Sequence, residues 1–198
     1  HFATVDVGRP EDIDLLPFFR THHRRYGVYW NFFTQQQWDE RRAAYEAEQK
    51  KIRELEARTI DVMRIGEMQP ERDHQFKGES TSAGEFNGRK WRHATSGGWF
   101  SFEMAVDSDR PAELVCTYWG SDQGSRTFDI LIDDTKIATQ TINNNKPGEF
   151  FDVAYPIDAK LTQGKRKVTV RFQAHPDHWA GGLFGARTMR PEADAAAP

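Results

Sequence analysis

Six tryptophans are distributed over the 198-residue chain, and three of them stand among polar side chains. Trp119 opens the stretch Trp119-Gly120-Ser121-Asp122-Gln123-Gly124-Ser125-Arg126, which sets Asp122, Gln123 and Arg126 beside an indole. Trp179 lies in a second short polar loop, His175 to Gly182, and Trp99 falls on the polar side of an alternating run. An indole in such a setting stacks on the C–H face of a sugar ring. Its apolar area supplies affinity, while carboxylate, amide and guanidinium groups orient the hydroxyls. Arg126 suits paired oxygens because its fork is planar and always charged. The candidate carbohydrate-binding set is therefore Trp99, Trp119, Trp179, Asp122, Arg126 and His175. Packing beneath a loop is the competing role for every indole, since tryptophan is mostly buried. It weighs most for Trp91 and least for Trp179.

No motif specifies catalysis. His22-His23 and the scattered Asp73, His74, Glu79 and Glu85 lack the spacing of a zinc site, and no Gly-rich phosphate loop opens a helix. No cofactor is expected. A structural calcium would have to sit in the Gly66 to Gly98 stretch or near Asp107 and Asp109, where no ligand pattern marks it. One cysteine, Cys116, excludes an internal disulfide, and its place in Leu114-Val115-Cys116-Thr117-Tyr118 reads as a small buried hydrophobe. Lys and Arg total 27 against 30 Asp and Glu, a net charge of -3 that gives no basic field for nucleic acid. No apolar run approaches the ~18 residues of a membrane span, so neither nucleic acid nor membrane is an expected partner.

The elements that must position these residues are strands. Hydrophobic residues make up 37% of the chain and aromatics 13%, enough for one aromatic-rich core. Residues 1–33 read as an extended connector or arriving strand, and their start at His1 suggests a processed or excised piece of a longer chain. Residues 34–59 read as a helix. Thr34-Gln35-Gln36-Gln37 has the form of a capping box, no Gly or Pro follows before Arg58, and Trp38, Tyr45 and Ile52 recur every seven residues with Leu55 beside them. Glu46/Lys50 and Glu54/Arg58 stand at the favourable four-residue spacing. This narrow apolar stripe is expected to lie against the edge of something larger, within its own domain or on a second helix.

Residues 60–190 read as an antiparallel β-sandwich. Strands are expected at Ile60–Ile65, Trp99–Val106, Glu113–Trp119, Arg126–Asp133, Lys136–Ile142, Glu149–Ile157, Lys165–Gln173 and Gly182–Met189. Gly66 to Gly98 reads as a long polar loop, functional or mobile, and residues 191–198 as a disordered tail. In Trp99–Val106 the apolar face is Phe100, Phe102, Met104 and Val106, with Trp99 outside. In Glu113–Trp119 the set Leu114, Cys116 and Tyr118 competes with Val115 and Trp119 for the inside. If the first set is buried and the two strands form a hairpin around Asp107–Pro111, Trp99 faces Trp119 as one aromatic platform. If the chain crosses between sheets there, the platform is lost.

Several ordered segments carry a family resemblance: Leu16-Pro17-Phe18-Phe19-Arg20 with Arg25-Tyr26-Gly27-Val28-Tyr29-Trp30, His74-Gln75-Phe76, Gly88-Arg89-Lys90-Trp91-Arg92, Gly98-Trp99-Phe100-Ser101, Thr117-Tyr118-Trp119-Gly120-Ser121-Asp122, Phe128 to Asp133 and Val168 to Ala174. Together they resemble the C-terminal accessory region of bacterial β-L-arabinofuranosidase-like glycoside hydrolases of family 127. The resemblance implies a mainly β, jelly-roll, carbohydrate-binding-module-like domain following a catalytic helical barrel that has no counterpart here. It also implies a periplasmic or extracellular place. The function expected is non-catalytic: holding a plant-type polysaccharide or oligosaccharide near an enzyme, or, alternatively, buttressing the catalytic domain of the parent chain without binding sugar.

Overall fold

The computed structural model describes residues 2–3, 14–15 and 31–192. Most of the expected connector, the resembling segments Leu16–Arg20 and Arg25–Trp30, and residues 193–198 of the expected tail lie outside the described residues. The chain divides into two compact units, residues 1–47 and 48–198. In the first, the two-residue strands β1 (Phe2–Ala3) and β2 (Asp14–Leu15) pair antiparallel. Helix α1 (Gln35–Arg58) starts there and runs into the second. Its start is the expected capping box: the Gln37 amide donates to Thr34 Oγ1 at 3.2 Å, and Gln37 Oε1 accepts from the Thr34 amide at 3.0 Å. No residue of α1 is buried, and Trp38, Tyr45, Ile52 and Leu55 are all exposed. The stripe therefore lacks the packing expected of it among the described residues. The ion pairs also differ from the expected ones. Arg42 meets Glu46, Lys50 meets Glu54, and Arg58 turns to Glu113 and Glu192.

The second unit is a mainly β, nine-stranded antiparallel sandwich, nearly closed. Its strands are β3 (Thr59–Met63), β4 (Lys77–Phe86), β5 (Arg89–Ala105), β6 (Ala112–Trp119), β7 (Arg126–Ile132), β8 (Thr135–Ile142), β9 (Phe150–Ile157), β10 (Lys167–Ala174) and β11 (Ala180–Met189). Short helices α2 (Met68–Asp73) and α3 (Ala159–Thr162) interrupt the series. Strand β5 joins two layers. Its second half, from Trp99, pairs with β10, which leads to β7 and β8. Its first half, at Arg92 to Ala94, pairs with β11, which leads to β6 and β9, with β3 beside the far end of β11. The core between the layers takes Phe100, Phe102 and Met104 from β5, Phe128 and Ile130 from β7, and Phe172 from β10 on one side, with Leu114, Cys116 and Tyr118 from β6 opposite. Alternation thus resolves the ambiguous strand in favour of the first set and turns Trp119 outward.

One expectation is overturned. Gly66 to Gly98 is no loop: it holds α2, all of β4 and the first ten residues of β5. The two strands form a hairpin through Asn87 and Gly88, both with positive φ (49° and 71°), as a two-residue turn matched to strand twist demands. Its sequence looked like a loop because β4 has no buried residue and so carries few apolar ones. α2 is pinned beneath it by Glu71, which accepts from Arg92 Nε and Nη2 at 2.8 and 2.7 Å and from the Gly66 amide at 2.8 Å. The structure also decides between the two arrangements open to Trp99 and Trp119. β5 and β6 do not pair with each other, because the chain crosses between layers at Asp107–Pro111, so Trp99 and Trp119 never stand opposite one another.

Candidate functional site

An open cleft of about 320 Å³ lies on the outer face of the β11–β6 layer, within the volume range of small-molecule sites. One wall is the tip of the β4–β5 hairpin. Residues 89–91 pair with β4 but not with β11, so the tip stands off the sheet as an arm carrying Phe86 and Trp91. Gly84 lies directly across from Trp91, and a Cβ at Gly84 would collide with the indole, so the ring packs against the β4 backbone there. The floor and far wall are Gly182 and Phe184 of β11 and Trp119 of β6. Phe86 and Trp119 approach to 5.1 Å between ring centres, and Trp119 and Phe184 both pack on Phe150, at 4.8 and 4.9 Å. The rings so form one connected aromatic surface. A Cβ at Gly182 would meet Asp122 Oδ2 at 3.4 Å and the Phe184 ring at 3.5 Å, so a larger side chain there would occupy the cleft.

The polar end is built by the loop after β6. Asp122 and Arg126 are both largely buried, with Asp122 Oδ2 at 3.7 Å from Arg126 Nε, an ion pair too long for a hydrogen bond. Arg126 Nη1 donates to the Gly181 carbonyl at 3.0 Å, while Nε is buried without a hydrogen-bond partner among the described residues. Burial raises the Asp122 carboxyl above its ordinary value, with the Arg126 charge opposing. His93 extends the surface from Trp91, ring to ring at 4.8 Å, to Trp179 at 4.7 Å. Burial, then the charges of Arg126 and Arg92, lower its pKa and keep the imidazole neutral at pH 7. Ser82 Oγ lies 2.9 Å from His93 Nε2. This is not a nucleophilic triad, because no carboxylate among the described residues orients the ring from Nδ1.

Of the six expected residues the fold gathers four. Trp119, Asp122 and Arg126 line the cleft, and Trp179, 40% exposed, borders it through His93 and through Arg126, whose guanidinium lies 5.5 Å from its ring. Trp99 is elsewhere, on the β4–β5–β10 side. Its ring is covered by Arg171 at 4.2 Å, and its Nε1 donates to Glu79 at 3.4 Å. His175 is also apart, bound at 3.0 Å to Asp129 on β7. Burial would raise Asp129, but hydrogen bonds from Thr139 and His175 and the charges of His175 and Lys136 outweigh it and hold that carboxyl low. Sequence reasoning missed Phe86, His93, Gly182 and Phe184 and assigned Trp91 to packing. The Trp91-x-His93 alternation following the Asn87-Gly88 turn was a signal that could have found them. Asp107 and Asp109, named for calcium, are engaged by the protein: Asp107 pairs with Arg190 at 2.8 Å, and Asp109 accepts from Ser108 and Gly164. Among the described residues no group of three His, Cys, Asp or Glu is placed to hold a metal, and no helix is long and apolar enough to cross a membrane.

In fold the chain is similar to carbohydrate-binding modules. A family 35 module from an environmental isolate superposes with a TM-score of 0.48 at 11% identity, over 69% of this chain and 98% of that one. The C-terminal family 6 module of the laminarinase LamC from Zobellia galactanivorans gives 0.47 at 10%, over 67% and 99%. A family 35 module from Clostridium thermocellum gives 0.43 at 9%, over 58% and 92%. No curated protein matches the sequence. A model of a family of unknown function, DUF6805, matches residues 54–189, a span that contains the whole sandwich and every residue of the cleft. The chain belongs to the DUF6805 family.

Proposed function

We propose that the sandwich is a non-catalytic carbohydrate-binding module that holds a plant-type polysaccharide or oligosaccharide in the cleft between Trp91 and Trp119. The carrying observation is the meeting, on one open face, of a connected aromatic surface with the Asp122–Arg126 pair. The rings offer stacking area, and the pair offers an acceptor and a donor for hydroxyls at one end. Trp179 extends the surface beyond His93. On this reading the module serves a glycoside hydrolase of the family 127 type, exported to the periplasm or the cell exterior, and the ordered sequence segments support that attachment. The exposed stripe Trp38, Tyr45, Ile52 and Leu55 on α1 favours a second role, packing on the catalytic domain of the parent chain.

A glycan array followed by calorimetry tests the binding role. The wild type is expected to bind at least one glycan, and Trp119→Ala to weaken that binding at least about tenfold while the sandwich stays folded, because a central aromatic anchor carries a large share of binding energy. Absence of binding across the array, or binding indifferent to Trp119, would overturn it in favour of the buttress.

A further inference from the structure

Phe184 and Arg187 stand three residues apart on β11 and would face opposite sides of a regular strand. The register shift between Leu183 and Gly185 gives β11 one extra residue against β6, with Leu183 opposite Tyr118 and Gly185 opposite Thr117. A bulge of this kind reverses the alternation beyond it. Leu183 and Ala186 are accordingly both buried, and Phe184 and Arg187 both stay half-buried on the outer face. The bulge thereby joins the aromatic cleft to a second groove of about 460 Å³ that shares Phe184 with it.

The second groove runs between the hairpin tip and the paired edge of β3 and β11. Its charged lining is Arg64, Arg89, Lys90 and Arg187 against Glu67 and Glu85. Arg64 is engaged by Glu67 at 3.2 Å. Among the described residues, no carboxylate forms an ion pair with Arg89, Lys90 or Arg187. Arg89 instead rests its guanidinium 4.4 Å from the Phe150 ring, at the margin of the aromatic surface. A local excess of cations in a chain of net charge -3 is a feature of this groove and not of the molecule. Guanidinium forks match the paired oxygens of a carboxylate or sulfate ester, and like charges held together in a groove are relieved by an anion.

We infer that this groove is a second subsite, taking an anionic group, carboxylate or sulfate ester, on a sugar chain whose neighbouring ring stacks in the aromatic cleft. The inference rests on the carbohydrate-binding reading. The bulge at Phe184–Gly185 sets the two subsites side by side on one face, so that a single acidic glycan reaches both.

Calorimetry with polygalacturonate, its carboxyl-reduced form and a sulfated galactan tests this on the wild type, Arg187→Gln and Trp119→Ala. One acidic glycan is expected to bind about tenfold tighter than the reduced chain. That margin should shrink in about 0.5 M salt and largely vanish in Arg187→Gln. Which acidic glycan shows it identifies the group. Equal affinity for acidic and reduced chains, lost in Trp119→Ala, would overturn the anionic subsite and leave the carbohydrate reading standing. Acidic binding lost in Arg187→Gln but kept in Trp119→Ala would uphold the anionic subsite and remove the stacking role. Binding of none of the three would remove both, and a single-stranded oligonucleotide bound as tightly as the acidic glycan would overturn the assignment to sugar.

Discussion

Burial raises the Asp122 carboxyl, Arg126 opposing it, because few solvent contacts remain to it and the guanidinium Nε stands at 3.7 Å. An acid that holds its proton more tightly in the folded chain than in the unfolded one makes its full contribution to stability in acid. That contribution is lost as pH rises from the ordinary value of 3.8 through the raised one. Asp122→Asn removes the ionisation and so the loss. The thermal midpoint of the variant minus that of the wild type should therefore increase as pH is raised through the carboxylate range and level off above it, as scanning calorimetry at a series of pH values would show. A difference that is flat or falls with pH would contradict the burial argument. The same variant should bind glycan more weakly at neutral pH, because a neutral amide oxygen accepts less strongly than the carboxylate it replaces while the rings remain. Asp122 and Arg126 were legible in sequence because they flank an indole in a loop after a strand whose alternation is plain. His175 read equally well in sequence and is taken up by Asp129, a partner on a strand more than 40 residues earlier that no local pattern announces.

The β4–β5 hairpin is the element on which the cleft depends, since it supplies Phe86, Trp91 and His93 and stands clear of β11 at its tip. Its turn is held by Gly88 at φ 71°, with nothing within 4 Å of an added Cβ. Gly88→Ala therefore meets no neighbour and costs only the left-handed backbone penalty, about 1 kcal/mol. Amide exchange in the arm should quicken about fivefold, with little change in the core strands, and glycan affinity should fall as the arm opens more often. Unchanged exchange at the tip would show that the turn does not set the arm's stability. The other strands were readable to within two or three residues, most plainly β6, β7 and β10, which carry alternating apolar faces between turn signals. The arm was not, since β4 buries no residue and so carries no apolar face, and only the Asn-Gly turn and the Trp91-x-His93 alternation declared it. The helix start was readable from Thr34 and Gln37, whose reciprocal bonds are purely local. What its stripe packs on is a tertiary matter that spacing leaves open.

At the scale of the whole sandwich, stability and binding are separated by the sheet itself: the core lies between the layers and the cleft on the outer side of one of them. β5 serves both, burying Phe100, Phe102 and Met104 with its second half and presenting Trp91 and His93 with its first. That division was beyond sequence reasoning, because the solvated first half of this 17-residue strand reads as loop and only its apolar second half reads as strand. Phe172, on β10 in the opposite layer, is fully buried and packs on Phe100 at 4.9 Å, Phe102 at 5.9 Å and Phe128 at 6.1 Å. Phe172→Ala removes those contacts and leaves a cavity that strands on both sides resist collapsing, at a cost of about 3–5 kcal/mol. Against the roughly 5–15 kcal/mol that holds such a domain together, that is a large fraction. Urea unfolding should show the midpoint displaced strongly with the slope retained. The folded fraction should nevertheless bind glycan with the wild-type dissociation constant, because no atom of the cleft has lost a neighbour. Trp119→Ala should do the reverse, weakening binding while the unfolding midpoint moves less than in Phe172→Ala, since its ring is only half-buried. If instead Phe172→Ala weakened binding in molecules shown to be folded, the two layers would be coupled and the site would have to extend through the core.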